Sequence, residues 1–167
     1  MPGPTHISKL LEQPDPLFQF NWYMSYIPNF GTDMRDTYVE KVDVPIESLA
    51  VKDDLYGGAR YTYYPGFITL DEVSITFYED HKGTTLGWIQ TWKNKIIDLA
   101  GNYSLPNEYK KWFQLIMLDT TGQVAGFVMC IGVWPTSTGG VSLSSDNGRV
   151  TIQQNFKCDR SFYGVLG

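Results

Sequence analysis

Glu79-Asp80-His81 is the densest group of side chains in this chain able to move a proton or hold a metal. Two carboxylates beside an imidazole are raw material for general acid–base work or a metal ligand set. One such triplet is weak evidence, because polar loops collect these residues and acids favour the start of a helix. We read it as a solvated turn entering a helix. The only other histidine, His6, is remote in sequence. No G-x-S-x-G or S-x-x-K frame gives a nucleophile its partner. Asp53-Asp54 is a paired acid with no second pair to complete a two-carboxylate hydrolase. Gly57-Gly58 and Gly139-Gly140 lack phosphate-loop context. Cys130 and Cys158 sit in apolar β-type runs without C-x-x-C spacing. They read as buried free thiols rather than zinc ligands, with a disulfide between them left open. The chain is expected to hold no catalytic residue, metal or cofactor. A hydrolase using Glu79, Asp80 or His81 is the minor alternative.

Composition agrees with architecture rather than chemistry. The 167 residues make one domain with a full core. Aromatics reach 15% (11 Tyr, 9 Phe, 5 Trp), while charged residues make up only 19%. Such a chain has either a β-rich aromatic core or large subunit interfaces, and composition leaves both open. The net charge of -5, with no basic run, excludes tight gripping of nucleic acid through phosphates. No signal peptide or membrane span is visible, so a soluble chain made in a cytoplasm is expected.

The elements that must position these residues are mostly strands. Residues 1–16, with four prolines, read as an N-terminal arm carrying a short helix at Ile7–Glu12. Leu17–Ile27 alternates, with Phe18, Phe20, Trp22, Met24 and Tyr26 on one face and Gln19, Asn21, Tyr23 and Ser25 on the other. Thr37–Val44 predicts a second strand. Pro45–Gly58 loses its pattern and predicts a protruding hairpin or long loop. Arg60–Tyr64 predicts a short strand closed by Pro65-Gly66, and Ile68–Tyr78 another with Val73, Ile75 and Phe77 inward. Between 84 and 100 the period changes: Ile89, Trp92, Ile96 and Leu99, widened by Leu86, Trp88 and Ile97, predict one amphipathic helix. Thr84 or Thr85 is expected to cap it, with Gly101 past its end. Tyr109–Leu118 and Val124–Trp134 predict a strand pair, the second apolar on both faces and so needing cover on each. Around Asp146-Asn147-Gly148 a tight hairpin is expected. Beyond it Val150, Ile152, Gln154, Phe156 and Cys158 alternate with Arg149, Thr151, Gln153, Asn155, Lys157 and Asp159. The sum is a mainly β fold, an antiparallel barrel or sandwich of about seven strands with one flanking helix.

Several segments together carry a resemblance. They are D-E-V-S-I-T-F-Y-E-D-H at 71–81, the helix with Gly87-Trp88, Tyr109-Lys110-Lys111, G-V-W-P-T at 132–136, and the run from Val141 to Tyr163. F-Q-F-N-W-Y-M-S-Y stands where a first long strand belongs. In this order they resemble the tail tube proteins of contractile-tailed bacteriophages, over about Leu17–Tyr163. The resemblance implies one tube-type domain at 17–163 with a protruding loop at 45–58 and a tail at 164–167. It implies homohexameric rings, stacked into the inner tube of a virion tail, with sheath, baseplate and neck proteins as partners. DNA would pass through without specific binding, and the chain would insert in no membrane. Synthesis would be in the bacterial host cytoplasm. The loop, through Val51, Lys52, Asp53, Asp54, Leu55 and Tyr56, would contact the neighbouring ring. Gln19, Asn21, Ser74, Thr76, Thr151, Gln153 and Asn155 would face the lumen. Trp92, Trp134 and Pro135 would be structural. A baseplate or neck ring of the same fold is the alternative within the class. A small-ligand-binding β-barrel is the alternative outside it.

Overall fold

Alternation of apolar and polar residues produces two antiparallel sheets that share one long strand. The computed structural model describes residues 21–165 except 33, 57–59 and 143–147, and the backbone alone at 53–56, 60–64, 138, 139 and 142. Nine strands are described: β1 (Trp22–Tyr26), β2 (Val39–Asp43), β3 (Ser48–Tyr56), β4 (Arg60–Thr69), β5 (Val73–Tyr78), β6 (Lys111–Leu118), β7 (Val124–Ser142), β8 (Thr151–Lys157) and β9 (Arg160–Val165). Two α-helices accompany them, α1 (Thr84–Ile96) and the single turn α2 (Pro106–Tyr109). The first sheet runs β1-β6-β7-β9 and the second β7-β8-β5-β2, all antiparallel. β3 and β4 form a separate two-stranded sheet.

The inner faces of the two sheets and one side of α1 make the core. β5 contributes Val73, Ile75 and Phe77, and β8 contributes Ile152 and Phe156. Phe113 and Leu115 come from β6; Val128, Cys130 and Val133 come from β7. Trp88, Ile89 and Trp92 of α1 cover them. The Trp92 ring meets Phe113 at 5.9 Å, edge on, and Phe156 at 5.5 Å. Edge-to-face pairs of this kind add about 0.5–1.5 kcal/mol each beyond burial.

The mainly β fold, the alternation of β5 and β8 and the single long helix match the sequence reading. Other details differ. β1 is described from Trp22, and the arm, its expected helix and the Asp146-Asn147 turn lie outside the described residues. Asp36–Tyr38 forms a 3-10 turn, so the second strand begins at Val39. Of the two forms expected for Pro45–Gly58, the hairpin is the one seen over Ser48–Tyr56, where β3 pairs with β4 from Ser48↔Thr69 to Tyr56↔Arg60, and residues 57 and 58 lie outside the described residues. β4 does not stop at Pro65-Gly66. A register shift between Leu49 and Val51 absorbs the proline, and a ribbon edge tolerates its missing N–H. Ile68 thus belongs to the hairpin, and β5 starts at Val73. Tyr109 ends a helical turn rather than starting a strand. Gly164 and Val165, expected in a tail, extend β9.

The helix ends at Ile96, four residues short of expectation, and Leu99 is 98% exposed. The Asp98 carboxylate accepts the Ala100 and Asn102 N–H groups, which folds 98–102 into a loop that competes with the helix. Thr84 and Thr85 do not cap the other end. Gly83 occupies the N-cap with a left-handed backbone. The strand expected to stop at Trp134 runs on to Ser142 and turns from one sheet into the other. Its outward face is not covered as expected, since the opposing wall and the helix both lie on the Cys130 side.

Gly132 permits the turn of β7 between sheets. Its φ is +71°, and a Cβ there would overlap the Asp159 carboxylate. Gly132→Ala is expected to destabilise the fold by at least about 2 kcal/mol, from backbone strain plus displacement of Asp159. Urea unfolding followed by tryptophan fluorescence measures it. A loss under about 0.5 kcal/mol, the range of neutral surface substitutions, would show that β7 bends without this residue.

Candidate functional site

Glu79 and Asp80 are committed to starting α1, and His81 lies exposed in the turn before it. Glu79 accepts the Thr85 N–H at 3.0 Å and the Leu86 N–H at 2.8 Å. Asp80 accepts the Thr84 N–H at 3.0 Å, the Thr84 hydroxyl at 2.6 Å, the Lys82 N–H at 3.0 Å and the Tyr38 hydroxyl at 3.1 Å. The carboxylates satisfy the first orphan amides and oppose the positive end of the helix dipole. The Thr84 hydroxyl and N–H, helped by Tyr38 and Lys82, hold the Asp80 carboxyl far below the usual carboxylate range.

Five of the residues expected to face a lumen gather on the outer face of the second sheet. Register places Ser74 opposite Asn155, Thr76 opposite Gln153, and Tyr78 opposite Thr151. Gln153 Nε2 donates to Ser74 Oγ at 3.0 Å, and Asn155 Nδ2 to Ser137 Oγ at 3.3 Å. On neighbouring β2, Lys41 and Asp43 pair at 2.7 Å. The face is polar, and Asn155 Oδ1 is buried on it without a hydrogen-bond partner among the described residues. Asn21 is not part of it. Its amide donates to Asp119 O at 3.2 Å at the far sheet's β6–β7 turn, and Gln19 lies outside the described residues.

The outer face of the first sheet is the opposite in character. Trp112, Met129, Ile131 and Phe162 share it, with Ile131 41% and Phe162 42% exposed. Tyr26 stacks on Trp112 at 3.7 Å. The hairpin is also apolar at its base, where Val51 is 72% and Phe67 87% exposed. Its root is tied to β9. Glu47 pairs with Arg160 at 3.3 Å and accepts the Ser161 N–H at 3.0 Å, while Tyr163 donates to Pro45 O at 3.3 Å. Lys52 is exposed on β3, and Asp53, Asp54, Leu55 and Tyr56 follow it in register with Tyr63, Thr62, Tyr61 and Arg60.

A cavity of ≈ 480 Å³ opens between the sheets, lined by Trp22, Val42, Leu115, Met117, Val128 and Tyr163 among others. Of its charged neighbours Glu40, Lys41 and Asp43, the last two bind each other. The two thiols are free and buried. Their mutual hydrogen bond and burial push the Cys130 thiol up, so it stays protonated and unreactive. Among the described residues no His, Cys, Asp or Glu cluster could hold a metal. No described helix is long and apolar enough to cross a membrane.

No family model and no curated protein sequence matches the chain. Solved structures do. A chain of the cryo-EM structure of the anti-feeding prophage cap, which terminates the tube, has a TM-score of 0.70 at 13% identity, covering 92% of this chain and 94% of that one. A chain of the sheath/tube terminator of an extracellular contractile injection system, PVC, gives 0.67 at 17% identity over 92% and 98%. A chain of that system's extended sheath–tube complex gives 0.63 at 17% identity over 97% and 99%. The chain has the fold of contractile-injection tube and terminator chains.

Within this tube fold the expected structural residues are buried or half-buried. Trp92 is fully enclosed, Pro135 is buried opposite Phe156, and half-buried Trp134 meets Tyr109 edge on at 6.5 Å. The outer patch at Trp112, Ile131 and Phe162 was missed as a surface. Its signal was present in the sequence, as the second apolar face of Val124–Trp134.

Asp80 makes stability depend on pH. Its folded pKa is depressed, so its contribution is present above the unfolded pKa of about 3.9 and is lost as pH falls further. Wild-type protein should lose more melting temperature between about pH 6 and pH 3 than Asp80→Asn does. Equal losses in the two proteins would remove Asp80 from the account.

Proposed function

We propose that this chain is a structural subunit of the inner tube of a contractile tail. Copies close into hexameric rings, and the rings stack into a hollow conduit for a phage genome. The fold shared with tube and terminator chains over more than nine-tenths of this chain carries the reading. Its two contrasting sheet faces support it. The Ser74, Thr76, Thr151, Gln153 and Asn155 face suits a lumen along which a polyanion slides without being gripped. The apolar face and hairpin supply the adhesive surface a ring requires. Sheath, baseplate and neck proteins are the expected partners, the particle is the expected location, and the role is architectural rather than enzymatic. Glu79, Asp80 and His81 serve the fold, so replacing them should change folding or assembly and abolish no turnover.

A second reading is a ring that ends the tube. The higher TM-scores against the cap and the terminator, 0.70 and 0.67 against 0.63 for the sheath–tube complex, favour it. Copy number in purified particles separates the two, because a tube subunit is present in many rings and a terminal ring once.

Purified protein at high concentration should form rings by negative-stain microscopy and stack further. Persistent monomer by light scattering, with the chain absent from purified particles, would defeat both readings. Deleting Lys52–Tyr56 should leave the melting transition of the body in place and abolish stacking. Normal-length tubes from that variant would make the hairpin a merely solvated ribbon.

A further inference from the structure

The only two cysteines of the chain meet at one corner of the fold. β8 and β9 run one after the other along β7, with Lys157 paired to Trp134 and Arg160 to Ile131. Cys158 and Asp159 therefore face Val133 and Gly132, where β7 bends from one sheet into the other. The left-handed backbone of Gly132 breaks the alternation there, so that Cys130 and Val133, three residues apart, both turn inward. Cys158 and Ser161 do the same on the facing segment. These four side chains close the corner from inside, and each is at most 6% exposed. Cys130 lies opposite Ser161, and Cys158 stands diagonally across the corner from it.

Local bonds make the two thiols unequal. Cys158 Sγ lies 3.3 Å from Ile131 O and 2.8 Å from Arg160 O, so its own proton is directed at backbone carbonyls. The Cys130 S–H donates to the Cys158 sulfur. That bond stabilises negative charge on Cys158, and ionising Cys130 would forfeit it. Cys158 is thus the thiol that ionises first, and Cys130 the one that keeps its proton. Access ranks them the same way. Cys130 is fully enclosed, whereas Cys158 sits at the junction of β8 with β9, whose one strand partner among the described residues is β7. Fraying of this edge strand opens the corner to a molecule as small as hydrogen peroxide.

We propose that Cys130 and Cys158 form a redox-sensitive lock on the bend of β7, in which a peroxide converts the thiol pair into an intramolecular disulfide. The Cys158 thiolate attacks one peroxide oxygen and the O–O bond breaks. Cys158 becomes a sulfenic acid, and the hydroxide that leaves is protonated to water. The Cys130 sulfur then attacks the Cys158 sulfur. The S–O bond breaks, the S–S bond forms, and the Cys130 proton leaves with the oxygen as a second water. The two thiols lose two electrons, and one peroxide is reduced to two waters. Cys130 needs no access to solvent, because its reaction partner is already beside it. The new bond ties the bend of β7 to the β8–β9 junction, so neither β8 nor β9 can peel away from the strand that joins the two sheets. A reducing compartment keeps the lock open, and an oxidising one lets it close. The inference does not depend on the tube reading.

The test uses the full chain. Folded protein is treated with hydrogen peroxide, quenched, denatured and alkylated with iodoacetamide. A non-reduced peptide map should join Cys130 to Cys158 within monomers, with neither cysteine alkylated. The melting temperature should rise by about 5–10 °C, as expected for a cross-link closing a loop of this length, and the rise should vanish on adding dithiothreitol. Cys130→Ala should stop at a sulfenic acid on Cys158, captured by dimedone. Cys158→Ser should leave Cys130 free to alkylate after denaturation. Circular dichroism checks that both variants fold, and the wild-type result decides without them. Both wild-type thiols alkylating after peroxide has oxidised the methionines would overturn the proposal. So would a disulfide between two copies, or one that lowers the melting temperature. Dimedone on Cys130 in place of Cys158 would overturn the assigned roles.

Discussion

The fold hangs on two indole N–H groups. Trp88 and Trp92 lie one turn apart on α1 and put their rings into the space between the sheets, where each polar nitrogen must find an acceptor. Trp88 Nε1 donates to Pro28 O at 2.8 Å, just beyond β1, and Trp92 Nε1 donates to Tyr109 O at 2.7 Å, just before β6. The two bonds pin the helix to the ends of paired neighbouring strands. Ring burial supplies the free energy, and the two bonds fix the one position in which it is gained. Glu79 and Asp80 are part of the same constraint. They make α1 begin where its second and third turns can deliver the two tryptophans.

Sharing β7 between sheets explains the division of labour outside the core. The first half of the strand lies between β6 and β9, and the second half pairs with β8. The Gly132 turn lets one strand present apolar residues outward from one sheet and then join a sheet whose outside is polar. A single chain thus carries an apolar outer wall and a polar outer wall on the same scaffold.

The sequence made these faces readable wherever one side of a strand is buried. Val73, Ile75 and Phe77, and Ile152, Gln154 and Phe156, alternate because a one-residue slip would turn the core outward. It was less informative where local side chains overrule the period. Asp98 ends the helix although Leu99 continues the apolar stripe, and Pro65 looks like a stop although the ribbon edge accommodates it. The length of β7 was hidden because Pro135, Gly139 and Gly140 resemble a boundary. A burial pattern also cannot say whether an apolar face is covered by the same chain or by another. That is why both sides of Val124–Trp134 read as core.

The pairing order has a consequence for synthesis. β1 pairs with β6 through Trp22↔Met117, and β5 pairs with β8 through Phe77↔Ile152. Neither sheet can be completed until β8 and β9 have been made. The hairpin, whose contacts are local, can close much earlier. A nascent chain therefore displays the exposed Val51 and Phe67 of its ribbon before the outer face at Trp112 and Ile131 is finished.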